Sequence, residues 1–507
     1  GAEVVTRHGP VRSVRAALAA LMAHEGLGRG HGAAALEEAE RSASWAEEPD
    51  RGRRDLMDQR VITIDPEGAK DHDDAIALAR EGEAVRLWVH IADVARFVPA
   101  GGAVDREAAR RGCSVYLPGT VDPMLPARLS TDVCSLRPGV PRKVVTAELL
   151  VDPSGEVAEA RFGRSLIRSE RRLTYPQVDR MLAGGTLGDP GLDDDVRLAH
   201  MLAGRLRARR MRRGALDIVS EEPVFALHGD RVADVRMERQ TAAHSLVEEC
   251  MIAANEAVAR LLIRKGAHTL FRTHEHPDQA RIERLYAQLE ALGVATPPLP
   301  EGVLTGDQRR EAARVASHAV RRHVERTGRG VRSLPTMVLR ALRQAVYTPD
   351  DPVHSGLASV AYLHFTSPIR RYPDLVVHRS LLHALGLDGG APDRAWLADI
   401  AVQASEAERA AADAERRADR MCLAYLLRDR LARGGWDDVR AGEVTGVAPA
   451  GLFVAFGDAF DGFLPARWLE DDHYRADPLD TCLGGEATGR RIAIGDALPV
   501  RVAEVEP

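Results

Sequence analysis

The chain has 507 residues, 45% hydrophobic and 28% charged, with a formal net charge of −6. Single hydrophobic cores stop growing at roughly 250–300 residues, so this length excludes a one-core protein, and the composition excludes a disordered or fibrous one. The charge gives no overall basic footprint of the kind phosphate binding leaves, although it averages over faces. From Val11 to about Trp45, apolar Val14, Leu18, Leu21 and Met22 recur at helical spacing, with breakers from Gly26 to Gly32. A small helical module over residues 1–57 is expected there. After the charged link from Glu47 to Arg54 come strand-like runs, Val61 to Ile64 and Val85 to Val94, the second reading as a buried strand. Helices follow, among them Leu246 to Arg264 with apolar positions three and four apart. Residues 58–435 therefore read as one large α/β unit. Within it, Ala398 to Leu431 mixes alanine, arginine and acidic residues without breakers, as a long surface helix would. From Val439 the texture changes to short apolar runs (Val444, Leu452 to Val454, Gly462 to Leu464, Ala497 to Val502) punctuated by glycine and aspartate. This is the signature of a small β-barrel over 436–507.

The five cysteines, Cys113, Cys134, Cys250, Cys422 and Cys482, are scattered and never form a CxxC pair, so they indicate neither a disulfide framework nor a zinc cluster. A reducing, cytoplasmic setting is expected. The apolar stretch Ala17 to Ala23 is far shorter than the ~20 residues of a membrane span. Of 69 basic residues only Lys70, Lys143 and Lys265 are lysines. That bias, with the many alanines, fits a GC-rich coding sequence. Arginine-rich runs such as Arg161 to Arg172 and Arg205 to Arg213 are thus equally readable as RNA-tracking or as solvated faces.

The most informative stretch runs from Ile64 to Ala75 and carries Asp65, Asp71, Asp73 and Asp74 within ten positions. Two unit charges ~4 Å apart repel by about 4 kcal/mol even at an effective dielectric of 20, so such a cluster needs protonation, hydration or a cation. A hard divalent cation with oxygen ligands answers the need, and metal-assisted phosphodiester hydrolysis is the reaction that uses this arrangement. A calcium loop fits poorly, because counting from Asp71 puts Ile76 and Gly82 where an EF-hand requires glycine and glutamate. Spacing alone leaves both a hydrolase and a solvated acidic turn open.

Further motifs follow in order: His90 to Val94, Tyr116 to Pro118, Met124 to Pro126, Glu248 to Asn255, Arg272 to Pro277, and the long segment from His364 through Ser367-Pro-Ile-Arg370 to Arg379. Together with the acidic stretch they resemble the ribonuclease II family, whose catalytic domain is called RNB, over roughly Val61 to Leu431. Gly442 to Val444, Gly451 to Val454 and Asp472 to Arg475 look like the OB-fold RNA-binding domain that ends these enzymes. The resemblance implies an α/β (α+β) RNB domain with a C-terminal OB-fold barrel. It implies a processive, sequence-nonspecific 3′→5′ exoribonuclease that hydrolyses RNA to nucleoside 5′-monophosphates with one or two magnesium ions, for which manganese can substitute. Asp65, Asp71, Asp73 and Asp74 would be the metal carboxylates, with Asp73 the most critical. Tyr116 would stack on the terminal base, a contact that needs no sequence. Phe225 would form the second side of that clamp. Arg370 would brace the scissile phosphate, assisted by Arg371 and Tyr372. His72 and His90 are assigned no catalytic role, since a lone histidine is more often structural.

The family's members carry two cold-shock-type OB folds ahead of the catalytic domain, whereas the sixty residues before Val61 show no such pattern and hold a single aromatic, Trp45. Either a helix-turn-helix or winged variant replaces those folds or the sequence starts within a longer chain. A more open entrance, admitting RNA with duplex regions as well as single strands, is the resulting expectation. A channel threading one strand needs one chain, so a monomer is expected. The alternatives are a metal-dependent DNA exonuclease and a catalytically inactive RNA-binding adaptor on the same scaffold.

Overall fold

The computed structural model describes residues 6–49, 52–217, 221–387, 391–469 and 472–506. Asp50 and Arg51 of the charged link lie outside them. The two helices expected at the start are present, α1 (Val14–His24) and α2 (Ala33–Ala43). They do not pair as a helix-turn-helix. Val14, Leu18 and Leu21 of α1 enter one apolar cluster, while Ala35, Ala39 and Ala43 of α2 enter another that lies against the central sheet.

The centre is a sheet of β1 (Arg54–Asp55), β2 (Val61–Asp65), β3 (Asp74–Glu81), β4 (Ala84–Ala92), β7 (Pro141–Val151) and β8 (Val157–Thr174). Between β4 and β7 come the short helices α3 (Val94–Phe97) and α4 (Ala103–Arg111) and the hairpin β5 (Val115–Leu117) and β6 (Thr120–Asp122). The 18-residue β8 pairs antiparallel to β7 through residues 157–168 and parallel to β2 through residues 169–174, so the sheet closes on itself, with β1 parallel to β8 at Ser165 and Leu166. All five residues of β2 are buried. Its two faces pack into different cores, Val61 in one and Ile62 and Ile64 in the other, which is why this strand reads as an apolar run rather than as an alternation.

One core is covered by α5 (Tyr175–Leu182), α6 (Pro190–Arg212) and, beyond the hairpin β9 (Glu221–His228) and β10 (Arg231–Arg239), α7 (Ala242–Arg264). Next in the chain are β11 (Phe271–Thr273), α8 (Gln279–Ala291), α9 (Gly306–Thr327), α10 (Ser333–Ala341) and β12 (Val346–Thr348). The other core takes α11 (Tyr372–Ala384) and the first part of α12 (Arg394–Ala432). This last helix is not the surface helix its charge suggests. Ala401, Ala404, Ala411, Ala414 and Ala418 are buried on one face, where their small side chains let neighbours approach closely. At 39 residues it is about 60 Å long, and beyond the second core it carries α1 and the β9–β10 hairpin. The C-terminal barrel follows as a four-stranded sheet, β13 (Arg440–Ala448), β14 (Gly451–Phe456), β15 (Phe460–Pro465) and β19 (Ala497–Val500), and a three-stranded one, β16 (Tyr474–Ala476), β17 (Cys482–Gly485) and β18 (Arg491–Ala493). Val444, Leu452, Val454, Leu483 and Ile492 fill its interior.

Candidate active site

Because β2 and β3 are antiparallel neighbours, the end of one and the start of the other meet at the same end of the sheet, with the acidic loop 66–73 between them. Asp65 closes β2 opposite Thr174, Asp74 opens β3 opposite Ile91, and the Asp73 carbonyl accepts from the Ala92 amide at 2.9 Å. The loop is held to the body through Ser135, whose hydroxyl donates to the Lys70 carbonyl and accepts from the His72 amide. The sheet therefore presents all four aspartates at one edge. Their charges are felt mutually: Asp65 acts on Asp74, and Asp74 and Asp71 both act on Asp73.

Asp73 is 2% exposed. Its Oδ1 accepts the Ile369 amide at 2.8 Å, and its Oδ2 lies 3.4 Å from Arg370 Nε. Burial pushes its carboxyl well above the ordinary range against the pull of Arg370. For Asp74, burial and then the charge of Asp65 raise the carboxyl to about 7. Asp65 Oδ2 sits 2.9 Å from His72 Nδ1, and Asp71 Oδ2 accepts from the Tyr116 hydroxyl at 2.7 Å.

Among the described residues no three His, Cys, Asp or Glu side chains converge as a ready metal cage. Three of the four aspartates face separate neighbours: Asp65 lies against His72, Asp71 accepts from Tyr116 and Asp73 faces Arg370. The donor set fits a hard cation, since it is all oxygen, and both Asp65 Oδ2 and Asp73 Oδ2 are buried and, beside these ion contacts, accept no hydrogen bond.

Arg370 stands in the turn before α11, its side chain 47% exposed, with Nη2 donating to Ser367 Oγ at 3.2 Å. Its two neighbours differ. Arg371 grips Asp374 through Nε and Nη2 at 2.9 and 2.8 Å, and Asp374, fully buried, also accepts the Ser367 amide. Tyr372 is 1% exposed and donates to Asp105. Of the two residues expected to assist at the RNA, Tyr372 is packed inside at the start of α11, while Arg371, its side chain 24% exposed, is engaged by Asp374.

Tyr116 projects from β5 and is 40% exposed, and its amide donates to Glu415 of α12. Phe225, expected beside it, is half-buried in the cluster that holds Val115 and Leu117. Those two residues leave β5 on the side opposite Tyr116, so no described contact brings Phe225 to the tyrosine ring. Of the two histidines set aside, His90 is fully buried between Thr146 and Gln59, its pKa held down to about 3 by burial. In the basic runs, Arg210 and Arg213 are taken by Glu249 and Glu256.

Sequence reasoning missed Tyr175 and Glu415. Tyr175 stacks on His244 with ring centres 3.8 Å apart, and burial, then Asp74 and Asp65, push its hydroxyl up. It follows Thr174, whose pairing with Asp65 puts it at the carboxylate edge. Only knowledge of that register could have revealed it.

The description "RNB domain" matches residues 53–386, and "S1 RNA binding domain" matches 436–507. The chain belongs to the RNB family. Curated relatives of this RNB protein include the Ribonuclease R of Escherichia coli K12, 35% identical over 485 residues, covering 90% of this chain and 57% of that protein. The Ribonuclease R of Thermotoga maritima is 36% identical over 473 residues, covering 90% of this chain and 63% of its own. The chain thus spans about three fifths of the length of these relatives. Among solved structures, Mycoplasma genitalium RNase R in complex with ribose-methylated single-stranded RNA superposes with a TM-score of 0.88 at 26% identity, covering 98% of this chain and 77% of that one. The barrel is accordingly an S1 domain of the OB-fold class, joined to an RNB domain of mixed α/β content.

Proposed function

We propose that this chain is a divalent-metal-dependent 3′→5′ exoribonuclease that hydrolyses single-stranded RNA, without sequence preference, to nucleoside 5′-monophosphates. One observation carries the reading: Asp73 is gripped by the amide of Ile369 and faced by Arg370, while Asp71 two residues away holds the hydroxyl of an exposed tyrosine. Carboxylates, an arginine and a stacking ring line up as phosphodiester cleavage at a chain end requires. The Ribonuclease R relatives and the RNA complex support it. Retention of all four aspartates and Arg370 favours an enzyme over an inactive adaptor.

Asp65, Asp71, Asp73 and Asp74 would hold the cation, magnesium or manganese. A bound divalent ion supplies Lewis-acid neutralisation of phosphoryl charge and a water of lowered pKa. The protein's own groups do the rest. The half-exposed guanidinium of Arg370 can reach a phosphate while Ser367 and Asp73 fix its direction, and such preorganised donors are worth about 10²–10³ in rate. Tyr116 offers its ring to the terminal base, adding ~1–3 kcal/mol without reading sequence. The S1 barrel would track the strand upstream, where Phe453 and Phe463, both about half-exposed, pack 5.2 Å apart. No helix among the described residues is long and apolar enough to cross a membrane, and the five cysteines are unpaired. We place the enzyme in the cytoplasm, acting as a monomer.

The test is product analysis: uniformly labelled RNA incubated with magnesium and inorganic phosphate, its products resolved by chromatography. Nucleoside 5′-monophosphates support the reading. Nucleoside diphosphates, internal fragments, or release undiminished by EDTA contradict it.

A further inference from the structure

We infer that the Tyr116 hydroxyl ties the cation site to the seat of the RNA 3′ end, so that metal and terminal nucleotide bind cooperatively through this one side chain. The inference rests on the nuclease reading above. Tyr116 has two chemically separate parts. The ring, exposed on β5, is free to stack. The hydroxyl donates to Asp71 Oδ2 at 2.7 Å.

The tyrosine is itself held from three directions. Its amide donates to Glu415 Oε1 at 2.8 Å, its strand pairs with β6 opposite Val121, and the flanking Val115 and Leu117 are each only 5% exposed. The hydroxyl is therefore delivered to Asp71 by a fixed hairpin.

Asp71 depends on that delivery more than Asp73 or Asp65 does. Asp73 is pinned by the Ile369 amide, and Asp65 lies against His72. For Asp71, the Tyr116 hydroxyl is the one hydrogen-bond donor recorded among the described residues. A donor that orients a metal-binding carboxylate from outside is typically worth 10–100-fold in metal affinity. Since ring and hydroxyl form one rigid plane, any shift of the ring against a base moves the donor on Asp71, and an ordered Asp71 holds the ring in place. Coupling between two ligands is reciprocal, so RNA tightens metal by the same factor that metal tightens RNA.

The test is calorimetric titration of Mn2+ into the full chain, alone and with a 2′-O-methylated single-stranded RNA oligonucleotide, for wild type, Tyr116→Phe and Tyr116→Leu. Affinity for the same oligonucleotide is also measured in EDTA. We expect Tyr116→Phe to weaken Mn2+ binding about tenfold, to lose the tightening of Mn2+ by RNA, and to keep its affinity for the oligonucleotide in EDTA, because the ring remains. Tyr116→Leu should lose about tenfold in that last affinity as well. Wild-type Mn2+ affinity and full RNA-induced tightening in Tyr116→Phe would overturn the inference and leave the nuclease reading standing. A wild-type chain that binds no Mn2+ would overturn both.

Discussion

Ile369 donates its amide to Asp73 Oδ1 at 2.8 Å across 296 positions of sequence. The acidic loop and the turn that presents Arg370 are thereby one structure, neither able to shift without the other. Behind the turn, Asp374 accepts the Ser367 amide and both arms of Arg371. That makes Asp374 the fixed point from which Arg370 is aimed, although it touches no reacting atom.

Replacing it should cost stability and aim together. Removing one partner of a buried ion pair costs about 3–5 kcal/mol, and the lower end applies here because Arg371 keeps 24% side-chain exposure. Asp374→Ala is expected to unfold at correspondingly lower denaturant concentration. Its turnover on RNA should fall by more than its affinity does, which steady-state kinetics beside equilibrium unfolding will show.

Arg370 is expected to act on the transition state rather than on binding. Arg370→Lys keeps the charge and loses the planar fork. Single-turnover cleavage should slow by about 10²-fold, with oligonucleotide affinity in EDTA nearly unchanged; a lysine variant that cleaves at the wild-type rate would remove Arg370 from the chemistry.

Asp74 gives a pH signature in metal-free protein. Its carboxyl is raised from 3.8 to about 7, so between those values the folded state keeps a proton that the unfolded chain has released. Its contribution to stability is full below about 3.8 and is lost as pH rises through about 7. Buried His90 and His354, held down to about 3, act in the opposite sense. Comparison with Asp74→Asn cancels them. In EDTA the variant should melt progressively higher than wild type as pH climbs through that window, and divalent metal should shrink the gap; a gap independent of pH would contradict the assignment.

Phe225 separates packing from recognition. Half-buried in the apolar cluster beneath the β5–β6 hairpin, it should cost about 1–2 kcal/mol of stability when changed to alanine, less than a fully buried phenylalanine. Oligonucleotide affinity in EDTA should not move. A loss comparable to that of Tyr116→Leu would restore Phe225 to the binding surface.

What the sequence made legible followed from local pattern. The run ending at Asp65 and the closely spaced Asp71, Asp73 and Asp74 announced a strand feeding an acidic loop, and glycine-punctuated short runs announced the barrel. What it hid was tertiary. Arg370, Arg371 and Tyr372 are consecutive, and only the tertiary structure turns Arg370 outward, ties Arg371 to Asp374 and packs Tyr372 in the core. Tyr175 meets the carboxylates because β8 runs parallel to β2, a pairing between segments about a hundred residues apart. The buried face of α12 was written in its alanines, but charge masked it. Likewise α1 and α2 read as a module of their own, since nothing local shows that their apolar stripes belong to two different cores.

The central claim meets its most direct test in one gel: 5′-labelled RNA and DNA of the same sequence, with magnesium, incubated with wild type and with Asp73→Asn. The account predicts a ladder that shortens from the 3′ end for RNA with wild type, and intact RNA with the variant. Equal degradation by Asp73→Asn, or wild-type RNA left uncut, would contradict it.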